Sequence, residues 1–345
     1  MPPRNLRVSV QRSGRALVVC AAASLGFVAS LPAQAVTLTV YSAQHEQTVD
    51  LLTKAFTKES GIDVKVRNGE APELASELIK EGASSPADVF FTENSPELVL
   101  LSEKGLLAKA APATLAAVPA ADSGPSGDWV GVFARENVLA YNKDLVKQEE
   151  LPASLLDLAK PEWKGKLAIA PADADFLPLV GAVVALKGRD AALAWLKGLR
   201  DNAAIFDDDE GVAAAVERGG AAVGIVNSYY WARLRMEVGA AKMKSDIHHF
   251  AGGDVGGLIN ISGAAVVKAS RKQAAAQKFL AFLVSKPAQE LMARLDITFE
   301  YPLAADVAAN PALKPMAELS PPKIAVKDIG DDRDAGQLLR EAGLI

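Results

Sequence analysis

Short apolar runs that alternate with amphipathic helical segments constrain the fold of this chain more than any other feature. Residues 36–41, 62–66 and 88–92 are typical of strands, and the segments between them are typical of helices. Ser95 followed by Pro96 predicts the first residues of a further helix. Strands that alternate with helices in this order build a parallel sheet with right-handed crossovers. The sequence therefore predicts an α/β fold.

The same alternation returns in the second half of the chain, where strands are predicted at 167–170, 222–226 and 264–267. The helices predicted there lie near 178–187, 189–201, 210–218, 272–285 and 287–295. About 310 residues remain once an N-terminal leader is removed, and a single hydrophobic core does not normally support so many. Two α/β lobes are therefore expected.

Two extended stretches with small residues, 129–138 and 257–262, are predicted to connect the lobes as hinge strands. Hinges of this kind let two lobes close over a ligand as rigid bodies. The expected division, with the ligand cleft between the lobes, is 36–134 plus 262–310 for lobe 1 and 135–261 plus 311–345 for lobe 2.

Residues 1–35 have the pattern of a secretory signal peptide. Four arginines without an acidic residue precede an apolar stretch at 16–31, and Ala33-Gln34-Ala35 is a cleavage motif. Cleavage is expected after Ala35, which makes the mature protein an exported one. Cys20, the only cysteine, lies inside this segment, so the mature chain has neither disulfides nor thiolate metal sites.

The mature chain is acidic, which excludes several classes of partner. Without residues 1–35 it has 33 basic and 42 acidic residues, a formal charge of −9. Such a protein binds nucleic acid or anionic membrane surfaces poorly. The phosphate-binding loop and the nucleophile-elbow motif are both absent from the sequence, and His45 has no serine nucleophile beside it. No catalytic residue is assigned, and an enzyme is not expected.

Two of the five tyrosines, Tyr229 and Tyr230, are adjacent and directly follow the strand predicted at 222–226. The ends of strands in α/β sheets are where ligands usually bind. A phenol titrates near 10 in water, but a strongly Lewis-acidic cation ionises it at neutral pH. Two adjacent phenols can therefore bind one small, highly charged cation. The alternative is that one tyrosine covers the core while the other faces solvent.

Two other strand ends supply side chains to the same crevice. His45 follows the first predicted strand and Glu93 follows the third, so both lie at the carboxyl edge of the first lobe's sheet. Together with the tyrosine pair they offer one neutral nitrogen and three anionic oxygens. This hard donor set suits Fe³⁺ better than copper or zinc. Two tyrosinates and one carboxylate also neutralise the charge of Fe³⁺.

Four motifs resemble those of the periplasmic ferric-iron-binding proteins, and the similarity extends through nearly the whole mature chain. They are Tyr41-Ser-Ala-Gln-His45, Pro86-Ala-Asp-Val-Phe-Phe-Thr-Glu93, Trp163-Lys-Gly-Lys166 and Asn227-Ser-Tyr-Tyr-Trp231. The resemblance implies the type 2 periplasmic binding protein fold, a two-lobed clamshell with extended hinge strands. It implies a periplasmic monomer that hands ferric iron to the permease and ATPase of an ABC importer in the inner membrane. By the same matching, the family's four protein ligands fall on His45, Glu93, Tyr229 and Tyr230.

The chain departs from the family where many relatives hold a synergistic phosphate or carbonate with a Ser-Gly-Ala turn and two asparagines. Here the turn contains Asp173 and Asp175, Asp209 stands at the first asparagine position, and only Asn227 matches. Carboxylates at these positions repel an anion, so phosphate is disfavoured. Three interpretations stay open: an aspartate of the turn supplies an oxygen, Arg135 holds a carbonate near the hinge, or the aspartates are solvated loop residues.

The second function considered is the binding of a small anionic or zwitterionic solute on the same fold, with Tyr229 and Tyr230 in contact with the solute. Such a site needs hydrogen-bond donors in the crevice. The carboxylates of Asp173, Asp175 and Asp209 argue against it.

Overall fold

The computed structural model describes residues 36–294 and 298–345, together with Met1, Pro3 and Ser9. The predicted signal peptide and its cleavage site after Ala35 lie outside the described residues. From residue 36 onward these residues belong to one compact unit. Within the described ranges, none of the helices combines the length and the apolar character needed to cross a membrane.

The described part of the chain has ten strands, and all of them join one mixed sheet. In chain order they are β1 (Thr37–Ala43), β2 (Asp63–Asn68), β3 (Val89–Thr92), β4 (Val130–Asn142), β5 (Leu167–Ile169), β6 (Ala203–Ile205), β7 (Val223–Asn227), β8 (Ser245–His248), β9 (Ile259–Val266) and β10 (Tyr301–Pro302). The order across the sheet is β2-β1-β3-β9-β4-β7-β5-β6, with β8 and β10 paired to β4.

Eleven α-helices lie in the described ranges, ten of them between strands and the last after β10. They are α1 (Glu46–Ser60), α2 (Ala71–Glu81), α3 (Pro96–Glu103), α4 (Pro112–Leu115), α5 (Phe176–Lys187), α6 (Arg189–Asn202), α7 (Asp209–Arg218), α8 (Ser228–Val238), α9 (Gln273–Leu283), α10 (Lys286–Ala293) and α11 (Asp332–Ala342). Local sequence sets several of their ends. Asp208 caps α7 by accepting a hydrogen bond from the Gly211 N–H, and Gly61 ends α1 in the left-handed conformation that glycine adopts easily.

The predicted α/β class and its parallel strands are confirmed. β1 pairs in parallel with β2 and β3, and β5 pairs in parallel with β6 and β7. β9 pairs antiparallel with both β3 and β4. The sheet is therefore antiparallel where its two parallel halves meet. The carboxyl ends of β1, β3 and β7 all border the junction, which places their following loops close together.

β4 is the strand that connects the two halves of the sheet. Its residues 130–136 pair with β9, and its residues 137–142 pair with β7 and β8. The first predicted hinge is therefore one continuous strand that extends to Asn142. The second predicted hinge is extended only from Ile259, because one turn of 3₁₀ helix at Val255–Gly257 precedes it.

Buried apolar side chains form cores on both sides of this junction. Those within 38–134 and 261–313 form the first core. Those within 138–258 and 329–344 form the second core, on the other side of the junction. Tyr229 and Ala232 are exceptions, because they lie on α8 yet pack with the first core. This arrangement matches two lobes in contact across a closed cleft, while the lobe boundaries stay a prediction.

Candidate metal site

The predicted site residues follow three strands whose carboxyl ends meet at the junction. β1 ends at Ala43, shortly before His45, and β3 ends at Thr92, immediately before Glu93. β7 ends at Asn227, and α8 begins at the next residue and carries the tyrosine pair in its first turn. Every residue of β3 and β7 is buried, so the backbone that positions these side chains is held firmly by the cores.

His45 brings side chains from both sides of the cleft together. Its Nε2 lies 2.8 Å from the Tyr229 hydroxyl and 3.3 Å from Glu93 Oε2. The rings of Tyr229 and Tyr230 are 4.0 Å apart between centroids, and the Tyr230 ring centroid is 6.4 Å from that of His45. The structure thus brings all four predicted metal ligands into one cluster.

The two tyrosines differ in burial, as the alternative interpretation of the pair expects. Tyr229 is 1% exposed and packs with the first core, whereas Tyr230 is partly exposed. Both rings nevertheless lie next to the largely buried His45. A tyrosine that simply faced solvent would not make this contact across the cleft.

Burial shifts the pKa of each candidate ligand toward its uncharged form. Burial and the nearby Arg135 guanidinium lower the pKa of His45 to about 4. Burial and the charge of Asp175 raise the pKa of Glu93 well above its ordinary value, and the same two causes raise the pKa of both phenols. A cation that binds here must therefore displace protons from oxygen ligands but not from the imidazole.

Arg135 of β4 is fully buried behind the cluster and holds Glu93 in place. Its Nη1 donates to Glu93 Oε2 at 3.2 Å and to Glu300 Oε1 at 3.3 Å, and its Nη2 donates to Asn94 Oδ1 at 3.0 Å. Nη2 also donates to the Glu93 carbonyl and lies 3.4 Å from Asp175 Oδ1. Burial raises the pKa of Glu300 to about 7. The guanidinium is thus surrounded by carboxylate and amide oxygens.

The three predicted aspartates form a connected chain rather than a solvated loop. Asp173 Oδ1 accepts from the Asp175 N–H at 2.9 Å, and Asp173 Oδ2 accepts from the Asp209 N–H at 3.0 Å. Asp209 Oδ2 accepts from the Asn227 N–H at 3.0 Å. The Tyr229 hydroxyl lies 3.2 Å from Asp175 Oδ2. Asp175 and Asp209 are only 2% and 3% exposed, so the solvated-loop interpretation is wrong for these two.

The charge states of the aspartates also differ. Burial and the charge of Asp175 raise the pKa of Asp173 to about 6, and burial and Asp173 raise the pKa of Asp209 well above its ordinary value. Burial also raises the pKa of Asp175, but Arg135 and the Asn94 amide outweigh it, so the net pKa lies below the ordinary value. Asp175 is therefore the carboxylate that is most readily ionised beside the tyrosines.

Sequence reasoning missed three polar residues of the site. Asn94 and Glu300 contact Arg135, and Asn260 donates to Asn227 Oδ1 at 3.3 Å. Glu300 had a detectable signal, because it is an acidic residue between two aromatic ones. Asn260 lies on β9 and has no comparable signal in the sequence.

Two of the four candidate ligands are phenols, so this cluster differs from metal sites built only from His, Cys, Asp and Glu. Across the part of the chain that the structure describes, His, Cys, Asp and Glu side chains alone form no group of three or more that could hold a metal ion. His45 and Glu93 need Tyr229 and Tyr230 to reach four donors. The site therefore depends on oxygen ligands that bind a metal well only when the metal is acidic enough to ionise them.

Comparisons with known proteins agree with this chemistry. The family model described as bacterial extracellular solute-binding protein matches residues 83–326. The Fe(3+)-binding periplasmic protein of Serratia marcescens is 36% identical over 340 residues, which cover 99% of this chain and 100% of the relative. The major ferric iron-binding protein of Neisseria meningitidis is 35% identical and covers 89% of this chain and 93% of its own. The structure of iron-bound HitA from Pseudomonas aeruginosa superposes with a TM-score of 0.85 at 42% identity, over 90% of this chain and 100% of the other.

Proposed function

This chain belongs to the family of bacterial extracellular solute-binding proteins, and on that premise we propose that it captures ferric iron between two lobes and delivers it to an ABC importer. Its fold is the predicted α/β clamshell of the type 2 periplasmic binding proteins, shared with the iron-bound Pseudomonas structure. Both relatives described above are named for ferric iron, which supports the same cargo here.

The observation that carries the proposal is the meeting of four donors across the cleft. His45 and Glu93 follow strands on one side of the cleft, and the tyrosine pair belongs to a helix on the other side. His45 Nε2 lies 2.8 Å from the Tyr229 hydroxyl and 3.3 Å from Glu93 Oε2. One imidazole nitrogen and three oxygens that become anionic suit a hard trivalent cation. We assign these four residues as the protein ligands of Fe³⁺.

Capture follows from this placement. Tyr230 is the more exposed phenol, so it is the donor that incoming iron reaches first. Closure about β4 and β9 then brings His45 and Glu93 against the second phenol, while Arg135 keeps the Glu93 carboxylate oriented toward the cleft. The phenol protons leave as iron binds, because a ferric ion stabilises the phenolate form.

The remaining parts of the proposal concern where and with whom the protein acts. We propose cleavage after Ala35 and action in the periplasm as a monomer, with the permease and ATPase of the importer as partners. The relatives are named as periplasmic or iron-binding proteins, which supports a carrier without catalytic residues. The acidity of the mature chain supports the lack of a nucleic-acid partner.

The experiment that tests the cargo is a titration of the mature protein with ferric citrate, followed by visible absorption. A saturable tyrosinate-to-iron charge-transfer band is expected. Tyr229→Phe and Tyr230→Phe each remove one anionic oxygen and should weaken iron retention by more than about 10- to 100-fold, the range for residues that only support a metal's ligands. Tyr141→Phe is the matched control, because Tyr141 packs in the second core and should leave the band unchanged.

A colourless protein throughout the titration would overturn the proposal. The tyrosine pair would then line a cleft for a small anionic or zwitterionic solute. Turnover of any such solute would instead indicate an exported enzyme.

A further inference from the structure

Backbone N–H groups at three helix starts around the cleft are already satisfied by the chain itself. Such N–H groups are the usual donors for a bound anion. Here Asp173 accepts from the N–H groups of Asp175 and Asp209, and Asp209 accepts from the N–H of Asn227, at 2.9 to 3.0 Å. Two built-in carboxylates therefore occupy donors that could otherwise hold a phosphate or carbonate.

Arg135 offers no vacant face to an external anion either. Both of its terminal nitrogens contact Glu93, Glu300, Asn94 or Asp175, and the side chain is fully buried. Only its Nε lacks a hydrogen-bond partner among the residues described. A carbonate could bind this guanidinium only by displacing carboxylates that already neutralise it.

Asp175 is placed differently from the other two aspartates. Its Oδ1 accepts from the Asn94 side chain at 3.0 Å, and its Oδ2 accepts from the Tyr229 hydroxyl at 3.2 Å. Asp175 Oδ2 therefore lies as close to the Tyr229 oxygen as Glu93 Oε2 lies to His45 Nε2, at 3.2 and 3.3 Å. A cation held by Tyr229 and His45 has the Asp175 carboxylate in the same cluster of donors.

We propose that Asp175 supplies to the iron the carboxylate that many relatives take from a synergistic anion, so that this protein loads ferric iron without phosphate or carbonate. The inference rests on the proposed function and adds a fifth protein ligand to the four assigned above. Asp175 joins them through the phenol of Tyr229, since acidic and histidine side chains alone form no metal-holding group of three in the described residues. Asp173 and Asp209 act as positioning residues, because they hold the helix starts that carry Asp175 and the tyrosines.

The charges of the proposed ligands balance those of the iron and Arg135. Counting these groups alone, two tyrosinates, Glu93 and Asp175 bring four negative charges, and Fe³⁺ with Arg135 brings four positive ones. A further phosphate or carbonate would leave an uncompensated negative charge in a buried site, which is costly. The contact of Arg135 with both carboxylates is thus explained as compensation for the extra ligand.

The test loads the mature protein with iron from ferrous chloride oxidised by pure oxygen gas, in buffer free of phosphate and carbon dioxide. The charge-transfer band should form in this buffer, and the rate of iron removal by EDTA should change less than about twofold when bicarbonate or phosphate is added. Native mass spectrometry of the loaded protein should show iron without a bound anion.

Two substitutions and a control separate a ligand from a structural residue. Asp175→Gly leaves space for a small anion, so it should speed iron loss by about tenfold or more in anion-free buffer and regain retention with bicarbonate or formate. Asp175→Asn keeps the shape, and it should shift the band and speed iron loss without rescue by formate. Asp207→Asn, an exposed change of equal charge on the approach to α7, should behave as wild type.

The outcomes separate this inference from the proposed function. A wild-type band that forms only with bicarbonate or phosphate, an anion seen by mass spectrometry, or unaltered iron retention in both Asp175 variants would overturn the role of Asp175 while leaving a ferric carrier. A missing band in every buffer would instead remove the ferric function itself.

Discussion

At the scale of single residues, burial favours the uncharged forms of His45 and the two phenols until a metal arrives. Burial raises the pKa of Tyr229, Tyr230 and Glu93, and it lowers the pKa of His45 to about 4. A neutral imidazole has a lone pair for a metal, so His45 needs no deprotonation at neutral pH. The two phenols must each lose a proton, which couples their binding of iron to pH.

We expect ferric affinity to fall steeply as the pH falls. Because protons and iron compete for the phenol oxygens, each displaced proton weakens binding about tenfold per pH unit, or about 100-fold for the two phenol protons. The pKa of about 4 for His45 keeps the imidazole available over most of this range. Calorimetry in buffers with different heats of ionisation counts the released protons.

Tyr230→Phe provides the internal check on that count, because it should release one proton fewer than the wild type. Tyr141→Phe should release the same number as the wild type. An affinity for iron that stays constant between neutral and strongly acidic pH would contradict the assignment of both phenols as ligands.

At the scale of elements, local patterns predicted most strands and helices but not β8 and β10, the two short strands that pair with β4. The elements around His45, Glu93 and the tyrosine pair lie within a few residues of their predicted bounds, because hydrophobic period and helix-start residues are local signals. β8 and β10 are short, and they exist because β4 offers them hydrogen bonds. Such pairing depends on residues far apart in the chain, so the sequence pattern does not reveal it.

In the candidate site, too, local features could be predicted from the sequence and contacts between distant residues could not. Residues at strand ends could be predicted, since topology places strand ends together. The partners of Arg135 could not, because Glu300 lies 165 residues away from it and Asn94 lies in the loop after β3, 41 residues away. The sequence also left open whether Asp175 faces solvent or the tyrosines, and only its packing in the fold decides that.

Gly131 of β4 is predicted to be essential for the stability of the connecting strand. An added Cβ would lie 2.0 Å from the Asp122 carbonyl oxygen, and a backbone atom cannot move aside as a flexible side chain can. Gly131→Ala should therefore destabilise the protein by about 3 kcal/mol, the upper range for overpacking. The midpoint of urea unfolding of the iron-free protein measures this.

Gly336→Ala is the matched control for Gly131→Ala. Gly336 lies inside α11, where an added Cβ comes no closer than 3.7 Å to Arg340 Nη1. Alanine in a helix interior should stabilise the protein by about 0.5–1 kcal/mol. Equal effects of the two substitutions would contradict the steric explanation for Gly131.

At the scale of the whole molecule, α3 and α11 bring an acidic pair together from the two cores. Glu97 of α3 is 3% exposed, and its Oε2 has no hydrogen-bond partner among the described residues. Burial raises the pKa of Glu97, and burial and Glu97 raise the pKa of Asp332 at the start of α11. Asp331 and Asp175 add further negative charge nearby, so one shared proton favours the contact between the helices.

The sign of the resulting pH dependence follows from the raised pKa values. Below the ordinary pKa of a carboxyl group both the folded and unfolded chains hold the protons, and the contact is at its most favourable. As the pH rises, the unfolded chain loses its protons first, so the free energy of unfolding falls until the raised pKa values of the folded state are passed. Glu97→Gln removes this penalty, so it should raise the unfolding temperature more at about pH 8 than at about pH 5.

Glu103→Gln makes the same change of charge on the exposed end of α3 and should shift the unfolding temperature equally at both pH values. Small-angle scattering of the iron-free protein gives the second readout. If the acidic pair opposes closure, Glu97→Gln should lower the radius of gyration at the higher pH, because the two cores then meet without an ionised pair between them. An identical radius and an identical shift in unfolding temperature for the two variants would mean that the pair across α3 and α11 has no part in closing the cleft.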